Sequence, residues 1–261
     1  MRSTERVEGD PAPASVIERI SLILDCFSQH DPSLSVGEIA ARAGLPKSTT
    51  SRLVAALASQ GFLEHQDGKL ALGLRFFELG EKASRPRNLR RLTYAHMEGL
   101  RRVSGHTVHL AVLDGRHVVY IEILPARGTP ALPSRVGGRV LAHATAVGKA
   151  LLAFSPPTLT EQLISAGLPP LGPRTIVDAD ELRAALWRIR AAGIATEEEE
   201  SGPGIACVAA PIVVDGKPIA AISVSGWASE IDIAASAKIL ERTTKELNRQ
   251  AEGLPASRRT M

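Results

Sequence analysis

The chain has 261 residues, 44% hydrophobic, 23% charged and 3% aromatic. That is the make-up of a soluble globular protein with length for two modest domains, whose cores must be built from Leu, Ile, Val and Ala. No apolar stretch approaches a membrane span, and Cys26 and Cys207 lie too far apart in sequence to suggest a disulfide framework, so the expected compartment is the cytoplasm. The net charge of +3 falls within the first 105 residues, an excess too small to mark a nucleic-acid footprint alone.

Residues 1–14 lack the apolar core of a leader and read as a disordered tail. Ile17, Ile20, Ile23, Leu24 and Phe27 then recur at helical spacing behind Ser15, a candidate N-cap. After Asp31-Pro32, Ser35 and Glu38 form a capping box, Ile39, Ala40 and Ala43 supply a short apolar stripe, and Gly44 can end the helix in the left-handed conformation. A third helix opens at Pro46, turns Leu53, Val54 and Leu57 inward, and closes at Gly61. Two short alternating runs about Phe62–His65 and Lys69–Leu72 flank Asp67-Gly68, a strong hairpin signal. Helix, helix, turn, helix, hairpin over residues 15–75 predicts a winged helix-turn-helix.

On that frame the helix after Gly44 enters the major groove of double-stranded DNA with its first residues at the base edges. Those residues, Lys47, Ser48, Thr49, Thr50, Ser51 and Arg52, are short donors flanked by two cations. The helix N-terminus adds partial positive charge. Ser35 and Arg42 on the preceding helix, with Gln66 and Lys69 at the hairpin, complete the expected DNA-contacting set. The competing reading is a solvated polar face.

Residues 76–104 read as linker helices, one with Leu74, Phe77, Leu79 and Ala83 as its stripe and a second over about 88–104. From Lys82 to Arg102 basic residues far outnumber the one acid, Glu98, so this stretch either lies near DNA or is the exposed face of a connector. Beyond Gly105 the period changes to two. Strands at 107–113 and 117–123 flank Asp114-Gly115, and strands at 194–199, 205–213 and 219–224 follow helices at 145–154, 159–166 and 179–192. Asp215-Gly216 marks a further hairpin, and an amphipathic helix covers about 231–251. Residues 105–253 are therefore expected to form an α+β domain with one antiparallel sheet, and 254–261 a second disordered tail.

Gly44-Leu-Pro-Lys-Ser-Thr49, Gly105-His-Thr-Val-His-Leu-Ala-Val-Leu-Asp-Gly115, His143-Ala-Thr-Ala-Val-Gly-Lys-Ala-Leu-Leu152, Pro173-Arg-Thr-Ile176, Cys207-Val-Ala-Ala-Pro211 and Ala221-Ile-Ser-Val-Ser-Gly226 occur in this order. Through them the chain resembles the IclR family of bacterial transcription regulators from about residue 15 to 253. The resemblance implies a winged helix-turn-helix, a linker helix and a GAF-like effector-binding domain. It also implies dimers, or dimers of dimers, on palindromic operators. The effector pocket implied by the family maps to Ala146, Val147, Glu197, Cys207, Ser223 and Ser225, with a small organic or aromatic acid as the ligand class. Ser223 and Ser225 sit two apart on a strand and share a face, and the N–H groups around Ala146 and Val147 open a helix that can hold a carboxylate. The sequence departs from the family pattern in having four glutamates, Glu197 to Glu200, where aspartates are usual, and Ile194 where tyrosine is common. The longer side chain of Glu197 is expected to narrow or re-aim the polar end of the pocket, while the rest of the acidic run reads as a solvated edge.

No cofactor signature or metal spacing is present: His106, His109, His117 and His143 are scattered. The alternative to a non-enzymatic DNA-binding sensor is a GAF-fold thiol-dependent redox protein using Cys207. That chemistry normally needs a resolving thiol, and the other cysteine, Cys26, belongs to the first helix. No nucleophile, base and orienting group can be assembled, so no catalytic residue is expected.

Overall fold

A computed structural model describes residues 15–28, 30–128 and 134–253, and the chain divides into two compact units between Ala83 and Ser84. The two expected tails, 1–14 and 254–261, lie outside the described residues.

The first unit holds α1 (Val16–Leu24), β1 (Ser33–Leu34), α2 (Val36–Ala43), α3 (Lys47–Ser59), β2 (Leu63–Gln66), β3 (Lys69–Leu72) and α4 (Arg75–Lys82). Both α1 and α2 begin with a complete capping box, Ser15 with Glu18 and Ser35 with Glu38, and α2 ends on Gly44 at φ 64°. Pro46 is the cap of α3 rather than a member of its first turn. Asp67 and Gly68 both take positive φ, as a two-residue type I′ hairpin requires, and place Gln66 opposite Lys69. Ser33–Leu34, unforeseen because two residues show no periodicity, pairs with β3 and completes a three-stranded sheet. Ile23, Leu34, Ile39, Val54, Leu57, Leu63 and Leu70 form the core of this unit. Helix α4 buries none of its residues: Phe77 is 65% exposed, and Leu74, which caps the helix, 67%.

The second unit opens with α5 (Ser84–Ser104), which starts a full turn before its expected position and runs through Pro86. Proline is tolerated there because an N–H in the first turn has no helical partner to lose. Then come β4 (Thr107–Asp114), β5 (His117–Leu124), β6 (Arg139–Leu141), a 3-10 turn (Ala142–Ala144), α6 (Ala146–Phe154), α7 (Pro157–Ser165), α8 (Ala179–Ala192), β7 (Ala195–Glu198), β8 (Ile205–Val214), β9 (Lys217–Trp227) and α9 (Ile233–Glu252). The six strands form one antiparallel sheet in the order β6-β5-β4-β9-β8-β7. Helices α5 and α9 cover one face, where Leu89, Met97 and Leu100 meet Val108, Leu110, Val208, Ile222 and Val224. Helices α6, α7 and α8 cover the other, over Ala111, Ala209 and Ala221. Helix α5 is thus a layer of the second unit, and two of its arginines are committed there. Arg85 donates to Ile219 O, and Arg90 donates to Ile121 O and pairs with Glu122.

Alternation on the central strands leaves mostly small or polar side chains on the α6 side toward one end of the sheet. Register sets Glu197 opposite Cys207, Cys207 opposite Ser225 and Ser223 opposite His109. Helix α6 is held close on the other side by Gly148, where an added Cβ would lie 2.1 Å from Ala142 O. Gly148→Ala is therefore expected to lower the urea-unfolding free energy by about 1–3 kcal/mol through overpacking. Gly99→Ala, in α5 with nothing within 4 Å of the added carbon, should instead raise it by up to about 1 kcal/mol.

Candidate functional site

In the first unit the outward face of α3 presents Lys47, Ser48, Ser51 and Arg52 to solvent, with Thr49 half-buried beside them. Lys47 and Arg52 have no ion-pair partner among the described residues, so this face carries uncompensated positive charge. Pro46 offers no side-chain cap, which leaves the first N–H groups of α3 available to an anion. Gln66 and Lys69 are exposed at the hairpin, and Lys69 lies 3.9 Å from Glu38.

Three members of the expected DNA-contacting set are placed differently. Thr50 is fully buried and donates to Pro46 O at 3.1 Å; it joins Val54 and Leu57 on the core stripe and cannot reach a base edge. The Ser35 hydroxyl is occupied by the capping box, accepting from Glu38 N and donating to Glu38 Oε2. Arg42 ties α2 to the preceding loop through Asp31 at 3.1 Å and Cys26 O at 3.3 Å.

In the second unit Ala146, Val147, Glu197, Cys207, Ser223 and Ser225 line a single cavity of about 20 Å³, little more than one water needs. Its wall also includes His109, Tyr120, Ser134, Thr145, Ser201 and Ile205, which sequence reasoning missed. The inward parity of His109 was a usable signal, since it shares a strand face with Ala111. The His109 ring bridges the cavity, with Nδ1 3.3 Å from Ser225 Oγ and 3.4 Å from Ser223 Oγ, and Nε2 2.9 Å from Ser134 Oγ. Burial pushes its pKa down to about 4. A neutral imidazole serves this position, accepting at one nitrogen and donating at the other. Tyr120 packs on it with ring centroids 5.2 Å apart, and burial pushes the phenol up, so it stays protonated.

The polar end is built differently. Glu197 accepts from Ser201 Oγ at 2.7 Å and Ser201 N at 2.9 Å, yet burial raises its pKa against those bonds. Cys207 donates to Ser225 Oγ at 2.8 Å, and burial first, then the neighbouring Glu197 charge, holds the thiol well above its usual range. The opposite wall is the first turn of α6, where Thr145 caps Gly148 N. The N–H groups of Ala146 and Val147 have no partner within the helix. None of the lining residues is Arg or Lys. Glu200, expected at a solvated edge, is instead buried and paired with Lys149. No group of three or more His, Cys, Asp and Glu side chains among the described residues could hold a metal ion, and no described helix is long and apolar enough to cross a membrane.

A winged helix-turn-helix with an uncompensated basic face on its exposed helix defines a DNA-binding transcription regulator. Residues 16–67 match the IclR helix-turn-helix domain and residues 82–251 the bacterial transcriptional regulator IclR C-terminal domain. The HTH-type transcriptional regulator XynR of Escherichia coli K12 is 33% identical over 246 residues, covering 93% of this chain and 95% of that protein. The transcriptional repressor IclR of the same strain is 33% identical over 215 residues, covering 80% of this chain and 78% of that protein. An IclR homolog from Microbacterium hydrocarbonoxydans, crystallised in complex with 4-hydroxybenzoate, superposes with a TM-score of 0.84 at 30% identity, covering 90% of this chain and 98% of that one. The chain belongs to the IclR family of bacterial transcriptional regulators.

The depressed pKa of His109 has a measurable consequence. Between about 4 and the ordinary 6.5, the unfolded chain binds a proton at this residue that the folded chain refuses. Stability from this group is therefore full above that window and is lost as pH falls through it. His109→Gln should abolish about 3 kcal/mol of that loss. Urea denaturation of both proteins across the window checks it: parallel pH profiles would show that His109 is not held neutral.

Proposed function

We propose that the chain binds a palindromic operator as a dimer or dimer of dimers, and that a small organic acid held in the second unit modulates that binding. The observation that carries this reading is the enclosed polar cavity within an otherwise aliphatic core. Filling those positions with Val or Ala would pack better; the chain instead keeps hydroxyls, an imidazole and a carboxylate facing one space. In a widened form of this space an acid has one favoured orientation. Its carboxylate meets the N–H groups of Ala146 and Val147, with Ser223 and Ser225 as donors beside it. A hydroxyl at its far end donates to Glu197. The 4-hydroxybenzoate complex of the Microbacterium relative supports an aromatic acid of this shape.

Action is by binding rather than catalysis. Cys207 is kept as a thiol by burial, and the other cysteine, Cys26, lies in the first unit, so neither an activated thiolate nor a resolving partner supports the redox alternative. A cytoplasmic site of action is consistent with DNA as the partner. The ligand shifts operator occupancy only by its difference in affinity for the operator-bound and free states.

Electrophoretic mobility shift with the intergenic DNA upstream of the gene tests both halves. Lys47→Ala and Arg52→Ala should each weaken operator binding about ten-fold or more and reduce its salt slope by about one, leaving effector affinity intact. If neither change alters the shift, α3 is not the recognition helix. Ser223→Ala with Ser225→Ala should remove the response to the effector while preserving the shift. A fully responsive double variant takes both serines out of the site.

A further inference from the structure

Behind the cavity lies a buried ion pair that does not line it. Lys149 Nζ meets Glu200 Oε1 at 2.5 Å, with Lys149 2% exposed and Glu200 8%. Lys149 stands in the second turn of α6, its own N–H bonded to Thr145 O, the cap of the helix whose first turn forms one cavity wall. Glu200 stands in the connection between β7 and β8, directly before Ser201, the residue that grips both oxygens of Glu197.

That connection is a tight, strained turn. Glu199 takes φ 56°, its carboxylate accepts from Gly204 N, and its carbonyl sits so close to Gly172 that an added Cβ there would lie 2.2 Å from it. Thr175 Oγ1 donates to Glu200 O from the outer side. Toward α6, the Lys149–Glu200 pair is the one hydrogen bond or ion pair to the connection among the described residues. An ammonium–carboxylate contact in low dielectric is directional and strong, whereas the flanking turn carries little apolar packing.

We infer that Lys149 and Glu200 are positioning residues for the effector cavity: their ion pair latches the β7–β8 connection to α6, and so fixes Ser201 and Glu197 opposite the helix N-terminus. The functional meaning rests on the cavity being the effector site; the latch itself does not. Without it, the β7–β8 connection is no longer held from the α6 side, and Ser201 is free to shift while the backbone of Glu197 stays paired to β8. The cavity then loses its defined width, and its carboxylate loses its aim.

Thiol kinetics read the latch without any ligand. In a Cys26→Ser background Cys207, opposite Glu197 in the sheet, is the one remaining thiol, and its alkylation reports opening of this wall. Removing one partner strands a buried charge, so the informative variant is Lys149→Met with Glu200→Met, which keeps volume without charge. Alkylation of Cys207 should rise about ten-fold or more in that variant. A control thiol on the opposite face of β8, Val208→Cys with Cys207→Ser, should not accelerate. Equal acceleration at both positions, or none at Cys207, overturns the latch. Calorimetry with 4-hydroxybenzoate and benzoate then separates the two readings. The latch predicts that the double-Met variant loses affinity for the hydroxylated acid and little for benzoate, and equal loss for both counts against it. A parent protein that binds neither acid overturns the aromatic-acid reading, while the thiol rates still decide the latch.

Discussion

The second unit depends on a parity constraint in three central strands. Because successive side chains point to opposite faces, β4, β8 and β9 each contribute one set to α5 and α9 and another to α6. The first set is aliphatic: Val108, Leu110, Val208, Ile222 and Val224. The second includes His109, Cys207, Ser223 and Ser225, side chains too small or too polar to fill the space beneath α6. Burying each of those polar groups alone would cost about 1–3 kcal/mol. The cost is limited because they bond one another, with His109 joining both serines to Ser134 and Cys207 joining Ser225. One face of the sheet thus supplies stability, and the other accepts a less favourable packing to keep a polar space.

Electrostatics gives the two units opposite characters. On α3 the charges are exposed, unpaired and screened, suited to a partner that brings its own dense charge and gains by releasing counterions. Inside the second unit the lining holds a carboxylate and no cation, and its one imidazole is neutral. Such a space is not a general trap for anions. On the proposed effector reading, Glu197 disfavours a negative group and favours a donor, which turns a ligand's acid function toward the N–H groups of α6. On that reading, polarity across a few ångströms selects orientation as well as class.

What could be read from the sequence was local. The capping box at Ser35 and Glu38 and the Asp-Gly turns at 67–68 and 215–216 are set by neighbours within a few residues, and each stands where expected. Thr50 shows the limit. It sits in a run of groove-type residues, yet its spacing to Val54 and Leu57 is the core stripe, and a bond to Pro46 O lets its hydroxyl be buried. Strands β1 and β6, of two and three residues, are too short for any period to register. Alternation along β7 correctly turns Glu197 inward and Glu198 out, but it stops at Glu199, where positive φ reverses the chain. Nothing after that point in the acidic run can be assigned by counting. The burial of Glu200 is decided by Lys149, 51 residues earlier, a relation with no local trace.

The small volume of the cavity also bears on the proposed effector binding. At about 20 Å³ the space admits one water but no aromatic acid, so the ligand-ready state is not the one described by this structure. On the proposed effector reading an acid binds a wider form, and its apparent affinity is the intrinsic one reduced by the fraction of molecules in that form. Two walls of the cavity are tied in different ways. The one bearing Glu197 is tied through Ser201 and Glu200 to Lys149, while the one bearing Ser134 is held to the sheet through His109. The bond at Ser134 is a neutral imidazole–hydroxyl contact, weaker than the buried ion pair on the other side. On the proposed effector reading, widening on the Ser134 side would leave the carboxylate and the α6 N–H groups in place, and so would keep the groups that select the ligand.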